Sequence, residues 1–203
     1  QVFLEHVDGR ALTYAAVDAR LDEWAAALRA TGLAAGAHVA TFVDDALEGA
    51  VAWLGIARAG MVSVPVNTAH IGRMLEHVLR TAAVEAVIVS SGLADRLDEV
   101  APGTPRLAPD GRADPDGERH EVQPHETAML LFTSGSTGPS KAVVVPWAAA
   151  RGYWGWVPDD TVGRGEALFV PPVQRNWFLR SAGAWERVVD EVLVPIAAPA
   201  AHG

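Results

Sequence analysis

The most informative part of the sequence reads Leu131-Phe-Thr-Ser-Gly-Ser-Thr-Gly-Pro-Ser-Lys-Ala-Val143. An apolar stretch that is typical of a strand leads into a loop, residues 133–141. This loop combines hydroxyl side chains, glycines and a lysine, and a second apolar stretch follows at 143–145. Glycines let the backbone approach an anion and present N–H groups to it. Hydroxyls donate to phosphate oxygens, and a lysine adds a positive charge. The loop therefore predicts a polyphosphate site between two strands.

The loop does not match the Walker motif of P-loop nucleotide triphosphatases. That motif needs a glycine, four residues, then Gly-Lys-Ser/Thr at the start of a helix. Counted from Gly135, Ser140 stands in place of the second glycine, and Ala142 in place of the hydroxyl that binds magnesium. The valines after Lys141 predict a strand, not a helix. The sequence thus argues against an ordinary P-loop enzyme.

Upstream of the loop, strand-like and helix-like patterns alternate. We predict a hairpin about Asp8-Gly9, strands over 38–43, 61–66, 85–89 and 128–132, and helices that begin at Thr13, at Asp44 or Asp45, and near Gly72. The inward residues of the helices recur at helical spacing: Val17, Leu21, Trp24 and Leu28 in the first, Leu47, Val51 and Leu54 in the second, and Leu75, Val78 and Leu79 in the third. This order predicts the α/β class, with a parallel-rich sheet flanked by helices.

Two stretches lack such periodicity. Residues 102–124 are rich in Pro, Gly, Asp and Arg, so we expect a surface loop there. Residues 147–203 carry five of the seven tryptophans, and we expect the end of this stretch to be frayed. These tryptophans fit core packing, or an interface left bare by truncation, at least as well as an aromatic acyl pocket. We therefore divide the chain into an α/β subdomain, 1–146, which contains the loop 133–141, and a Trp-rich continuation, 147–203.

Composition excludes several classes of protein. A net charge of -9 without a cluster of Lys and Arg argues against a nucleic-acid partner. The absence of cysteine excludes disulfides, and the histidines lack the spacing of metal ligands. No stretch reaches the length of a membrane span, and no signal-peptide pattern is present, so we expect a cytoplasmic protein. Because the sequence starts with Gln1, we expect it to begin inside a longer reading frame or after trimming.

The loop resembles the signature of the adenylate-forming superfamily, which includes acyl-CoA synthetases and peptide-synthetase adenylation domains. That signature usually reads Thr-Ser-Gly-Thr/Ser-Thr-Gly-x-Pro-Lys-Gly-Val, whereas this chain has Ser140 for the proline and Ala142 for the last glycine. Two earlier stretches are similar to other motifs of the family: Leu12-Thr-Tyr-Ala-Ala-Val-Asp-Ala-Arg20 and Trp53-Leu-Gly-Ile-Ala-Arg-Ala-Gly-Met-Val-Ser-Val-Pro-Val-Asn67. The resemblance covers residues 1–146 well. It implies that the chain has the fold of the N-terminal subdomain of adenylate-forming enzymes, in a truncated form.

The resemblance implies an acid–thiol ligase that uses ATP. An organic acid would attack the α-phosphorus of ATP to give an acyl-adenylate and pyrophosphate, and the acyl group would pass to the thiol of CoA or of an acyl carrier protein's phosphopantetheine. Lys141 would be the catalytic residue and would stabilise the departing pyrophosphate. The residues expected to bind ATP are Thr133, Ser134, Gly135, Ser136, Thr137, Gly138 and Lys141. Mg²⁺ is implied as well, but its ligands are not found in this chain.

Other motifs of the family are missing after residue 146, among them the aromatic-Gly-x-Thr-Glu segment and the ribose-binding aspartate. Val170-Pro-Pro-Val-Gln-Arg-Asn176 resembles a segment that usually reads Leu-Pro-x-Phe-His-x-Asn, which makes Gln174 the candidate for the acid pocket. We expect a portion of an enzyme that is inactive alone. The alternative is a truncated, non-catalytic relative that acts as a binding or assembly module, and a homodimer remains open.

Overall fold

The computed structural model describes residues 1–133 and 140–154, together with two short strands at 168–169 and 178–179. The strands are β1 (Val2–Glu5), β2 (Ala11–Thr13), β3 (His38–Phe42), β4 (Val62–Pro65), β5 (Ala86–Val89), β6 (Arg106–Leu107), β7 (Thr127–Thr133), β8 (Lys141–Pro146), β9 (Leu168–Phe169) and β10 (Phe178–Leu179). The helices are α1 (Tyr14–Ala30), α2 (Ala46–Arg58), α3 (Gly72–Thr81), α4 (Ala94–Asp98) and α5 (Trp147–Trp154).

Two sheets are present in the described part of the chain. The larger one has the order β6-β5-β3-β4-β7-β8, and all its neighbours are parallel except β7 and β8, which are antiparallel. The smaller sheet has the order β2-β1-β10-β9. The predicted α/β class with a parallel-rich sheet is therefore confirmed. The predicted hairpin about Asp8-Gly9 is also confirmed, since β1 and β2 pair antiparallel.

Helices cover both faces of the larger sheet. Residues of α1, α2 and α5 pack in one apolar cluster with Val39, Ile88 and Met129 from the sheet. Residues of α3 and α4 pack in a second cluster with Ala40, Val87 and other alternate strand residues. This alternation follows from the two-residue period of a strand, in which successive side chains point to opposite faces.

Helix α2 is buried almost all round, because it lies between the sheet and α1. Of the two predicted caps, Asp44 and Asp45, the structure selects Asp45. Its Oδ1 accepts hydrogen bonds from the backbone N–H groups of Leu47 and Glu48, both at 3.0 Å. The two helices approach closely at Gly55, where an added Cβ would lie 2.3 Å from the Cβ of Trp24. Trp24 is 0% exposed, as predicted for a core residue. A side chain at position 55 would therefore push α1 and α2 apart.

Arg58, at the end of α2, is also buried against α1. Its guanidinium donates to Asp18 at 2.7 Å and to Asp22 at 2.5 Å. Arg119 donates to the same two carboxylates, with the shorter contact, 2.6 Å, to Asp22. A buried cation is tolerated where carboxylates are paired with it and accept its hydrogen bonds.

Residues 111–122, which we call the strap, lie in the expected surface loop, and most of them are exposed, as predicted. Its two ends, however, are buried. Gly111 packs against the ring of Trp24, and Val122 is buried in the core. Asp116 pairs with Arg29 of α1, and this guanidinium holds the pKa of Asp116 below its usual range. Because charged partners on α1 fix the strap, its polar composition reflects ion pairing as well as solvation.

Several short elements had no sequence prediction. These are β6, β9, β10, α4 and α5. Trp147 begins α5, is 4% exposed, and stacks on Trp53 with the ring centroids 6.2 Å apart. For Trp147, core packing is therefore the correct one of the three interpretations. The other late tryptophans and the expected frayed tail lie outside the side chains that the structure describes, and the division at residue 146 stays a prediction.

Gly55→Ala should destabilise the fold by about 1–3 kcal/mol, because the new methyl group overpacks the contact with Trp24. Chemical denaturation measures this change. Gly92→Ala is the matched control, since an added Cβ there meets nothing within 4 Å, and it should change the free energy of unfolding by less than about 0.5 kcal/mol. Equal stability of the two variants would contradict the described helix contact.

Trp147→Ala should lower the free energy of unfolding by about 3–5 kcal/mol, the usual loss for a buried tryptophan. Trp147→Phe should cost less, because the ring against Trp53 is kept. The same denaturation experiment compares the two variants with the parent chain. A loss below about 1 kcal/mol for Trp147→Ala would place this residue outside the core.

Candidate functional site

The predicted loop closes the hairpin of β7 and β8. In the pairing register, Thr133 at the end of β7 lies opposite Lys141 at the start of β8. Because β7 is parallel to β4, which is parallel to β3, the base of the hairpin, formed by Thr133 and Lys141, lies at the carboxyl edge of the sheet. Ligands of open α/β sheets bind at this edge. The prediction that a strand, not a helix, follows Lys141 is confirmed.

Lys141 is the only lysine in the sequence, and all the other residues of the Lys and Arg group are arginines. Both Lys141 and Thr133 are exposed. Side chains alternate along a strand, and Leu131 and Val145 pack in the cluster of α1 and α2. Thr133 and Lys141 therefore share the face of the hairpin that carries this cluster. A short polar side chain and an ammonium group thus meet at the base of the loop.

The opposite face of the hairpin base contacts α3. The Nε2 atom of His77 lies 2.7 Å from the carbonyl oxygen of Ser140, the residue before Lys141. The His77 ring also meets Phe132, the residue before Thr133, edge to face with centroids 6.2 Å apart. His77 was not among the site residues predicted from the sequence. Its only signal was a polar residue beside the inward positions of α3, a pattern that occurs on most amphipathic helices.

The connection from β4 to α3 runs along the same edge. Asn67 accepts a hydrogen bond from the N–H of Ala69 at 2.9 Å, and Arg96 donates to the carbonyl of Thr68 at 2.8 Å. Burial lowers the pKa of His70 below its ordinary value. A lowered pKa favours the neutral imidazole, and the buried Nδ1 of His70 has no hydrogen-bond partner among the described residues.

The structure brings together the two ends of the predicted phosphate loop, Thr133 and Lys141, and adds His77. The predicted loop residues Ser134, Gly135, Ser136, Thr137 and Gly138 lie outside the described residues, and so does Gln174. Their roles stay predictions.

A cleft of about 390 Å³ lies at the other edge of the sheet. His38, Val62 and Thr127, which begin three parallel strands, line it together with His120 and Glu126. Burial alone would raise the pKa of Glu126, but hydrogen bonds from His120 and from the backbone of Gln123 outweigh burial, so the pKa is lowered. Since this edge is opposite to the hairpin loop, the cleft is separate from the predicted phosphate site.

Two features are absent from the part of the chain that the structure describes. No group of three or more His, Cys, Asp or Glu side chains there could hold a metal ion. Within the same residues, no helix has the length and apolar character needed to cross a membrane.

The chain belongs to the AMP-binding enzyme family, whose model matches residues 2–161. The fold agrees with this assignment, because the matched region contains the whole six-stranded sheet and the hairpin loop. The chain is thus a member of the adenylate-forming enzymes, and the match falls on their N-terminal part.

Three relatives show how far the similarity extends. Syringomycin synthase SyrB1 of Pseudomonas syringae pv. syringae is 34% identical over 146 residues, which are 67% of this chain and 22% of that protein. Phosphinothricin tripeptide synthetase PhsC of Streptomyces viridochromogenes is 32% identical over 147 residues, 68% of this chain and 13% of the synthetase. ATP-bound MatB from Rhodopseudomonas palustris superposes with a TM-score of 0.67 at 28% identity, over 76% of this chain and 33% of MatB. The chain therefore spans a third or less of these relatives.

Proposed function

We propose that this chain supplies the ATP-phosphate-binding part of an enzyme that activates an organic acid as an acyl-adenylate. The observation that carries the proposal is the β7–β8 hairpin, which presents Lys141 opposite Thr133 at the carboxyl edge of the sheet. Family membership supports adenylate chemistry, and the ATP-bound state of MatB supports the nucleotide. The residues assigned to the phosphates are Thr133, Ser134, Gly135, Ser136, Thr137, Gly138 and Lys141.

In the proposed reaction, a carboxylate oxygen of the acid bonds to the α-phosphorus of ATP. The bond from that phosphorus to the oxygen that bridges to the β-phosphate breaks, and pyrophosphate leaves with the electron pair. Negative charge grows on the departing pyrophosphate, and a fixed ammonium group beside it lowers the barrier. Lys141 is suited to this role because the paired strands β7 and β8 fix its backbone.

The acyl-adenylate would then react with a thiol, which attacks the acyl carbon and releases AMP. We assign this thiol to CoA or to the phosphopantetheine of a carrier protein, and the relation to a peptide synthetase supports the carrier protein. Gln174 is proposed for the acid pocket. Mg²⁺ would accompany ATP, but no described cluster of acidic or histidine side chains fits it, so no step is assigned to the metal.

An assembly module is the second candidate. Strand β8 forms one end of the larger sheet in the described residues, and Val144 on it is 60% exposed. An exposed apolar edge strand can pair with another chain. Tight self-association without nucleotide binding would favour this alternative over the enzyme.

Lys141→Met should weaken ATP binding by about 10- to 100-fold, since a hydrogen bond to a charged group contributes roughly 1.5–3 kcal/mol. Isothermal titration calorimetry of the chain measures the affinity, and pyrophosphate exchange by the full-length protein should slow in parallel. Arg112→Met, which removes one positive charge from the strap, is the control and should bind ATP like the parent. Exchange at the parent rate in Lys141→Met would refute the assignment.

A further inference from the structure

We propose that His77 is a positioning residue that holds the base of the phosphate loop in the geometry that binds ATP. The inference rests on the proposed function of the hairpin. It starts from one observation: a single side chain of α3 contacts the residue before Thr133 and the residue before Lys141. Both ends of the loop are thus fixed to one helix.

The contact with Ser140 defines which ring nitrogen of His77 carries the hydrogen. A carbonyl oxygen only accepts hydrogen bonds, so the Nε2 atom, 2.7 Å away, must be the donor. In the neutral ring, Nδ1 is then an acceptor, and the hydroxyl of Thr81 lies 3.4 Å from it. The carbonyl of Ser140 therefore selects the tautomer with the hydrogen on Nε2, and the Thr81 hydroxyl, which can donate to Nδ1, is compatible with it.

Fixing the Ser140 carbonyl also fixes the start of β8. The peptide unit between Ser140 and Lys141 is planar, so the direction of the carbonyl sets the direction of the Lys141 N–H group. That unit lies in register with Thr133 across the hairpin. Rotation about the hairpin base is therefore restricted from both strands.

The support for His77 is itself rigid. Leu75, Val78 and Leu79 of α3 are buried against the sheet, so the helix backbone near His77 is held by apolar packing. His77 is half-buried and reaches the hairpin from the face that carries α3. A binding site whose groups are held in place before the ligand arrives loses less entropy on binding.

His77→Phe separates the hydrogen bond from the ring contact, because phenylalanine keeps an aromatic ring beside Phe132 but cannot donate to Ser140. We expect ATP binding to weaken by about three- to tenfold, the effect of leaving one carbonyl without its donor. His77→Gln retains an N–H donor and should recover affinity to within about twofold of the parent. His125→Phe, the same change at an exposed histidine in the turn before β7, should bind ATP like the parent.

Two further readouts distinguish positioning from general stability. In pyrophosphate exchange by the full-length protein, His77→Phe should raise the KM for ATP and leave the KM for the acid unchanged. The ¹⁵N NMR spectrum of histidine-labelled chain without nucleotide should show His77 protonated at Nε2, with the signal identified by its loss in His77→Phe.

Three results would overturn the proposal: parent-like ATP affinity of His77→Phe, equal weakening in folded His77→Gln and His77→Phe, or a hydrogen on Nδ1 instead of Nε2. Failure of the underlying function gives a different pattern, namely no ATP binding by the parent chain or no effect of Lys141→Met. In that case His77 has no role in ATP binding either. The NMR measurement of its tautomer still shows whether His77 donates to Ser140 and so holds the hairpin.

Discussion

The candidate site depends on the antiparallel return of β8 along β7. This pairing places the residue after the loop opposite the residue before it, so Lys141 and Thr133 meet at one point of the sheet edge. A helix after the loop, as in P-loop enzymes, would direct the chain away from that point. The same register exposes the carbonyl of Ser140 to α3, where His77 binds it. Strand pairing therefore sets the position of the lysine and of its support.

A well-packed scaffold holds this edge in place. Helix α2 is buried between the sheet and α1, and its fit depends on the missing side chain at Gly55 beside Trp24. The buried guanidinium of Arg58 and the exposed one of Arg119 share two carboxylates of α1, which ties α1, α2 and the strap together. These contacts lie on one face of the sheet, and α3, which carries His77, packs on the other. The hairpin is thus supported from both faces.

Periodicity predicted the elements whose apolar residues repeat. The inward residues predicted α3, which begins at Gly72 as expected, and the valines after Lys141 predicted β8. A run of valines does not show which strand it pairs with or in which direction. The antiparallel pairing of β8 with β7 is therefore known only from the structure. The contact of His77 with Ser140 joins residues 63 positions apart through a backbone carbonyl, which leaves no pattern in the sequence. In the strap, the arginine and aspartate that pair with α1 are residue types that also occur in solvated loops, so composition does not distinguish the two cases. For the interior of the phosphate loop, residues 134–139, the prediction rests on the sequence, through its glycines and hydroxyls and through the family motif.

The most direct test of the account uses the single lysine of the chain. Labelling with [¹⁵N]lysine gives one backbone amide signal in an NMR correlation spectrum, and that signal belongs to Lys141. If the hairpin holds the phosphates, ATP should shift this signal until it saturates, pyrophosphate should shift it as well, and adenosine should leave it unchanged. A Lys141 signal that does not move at saturating ATP would mean that this hairpin does not bind the triphosphate.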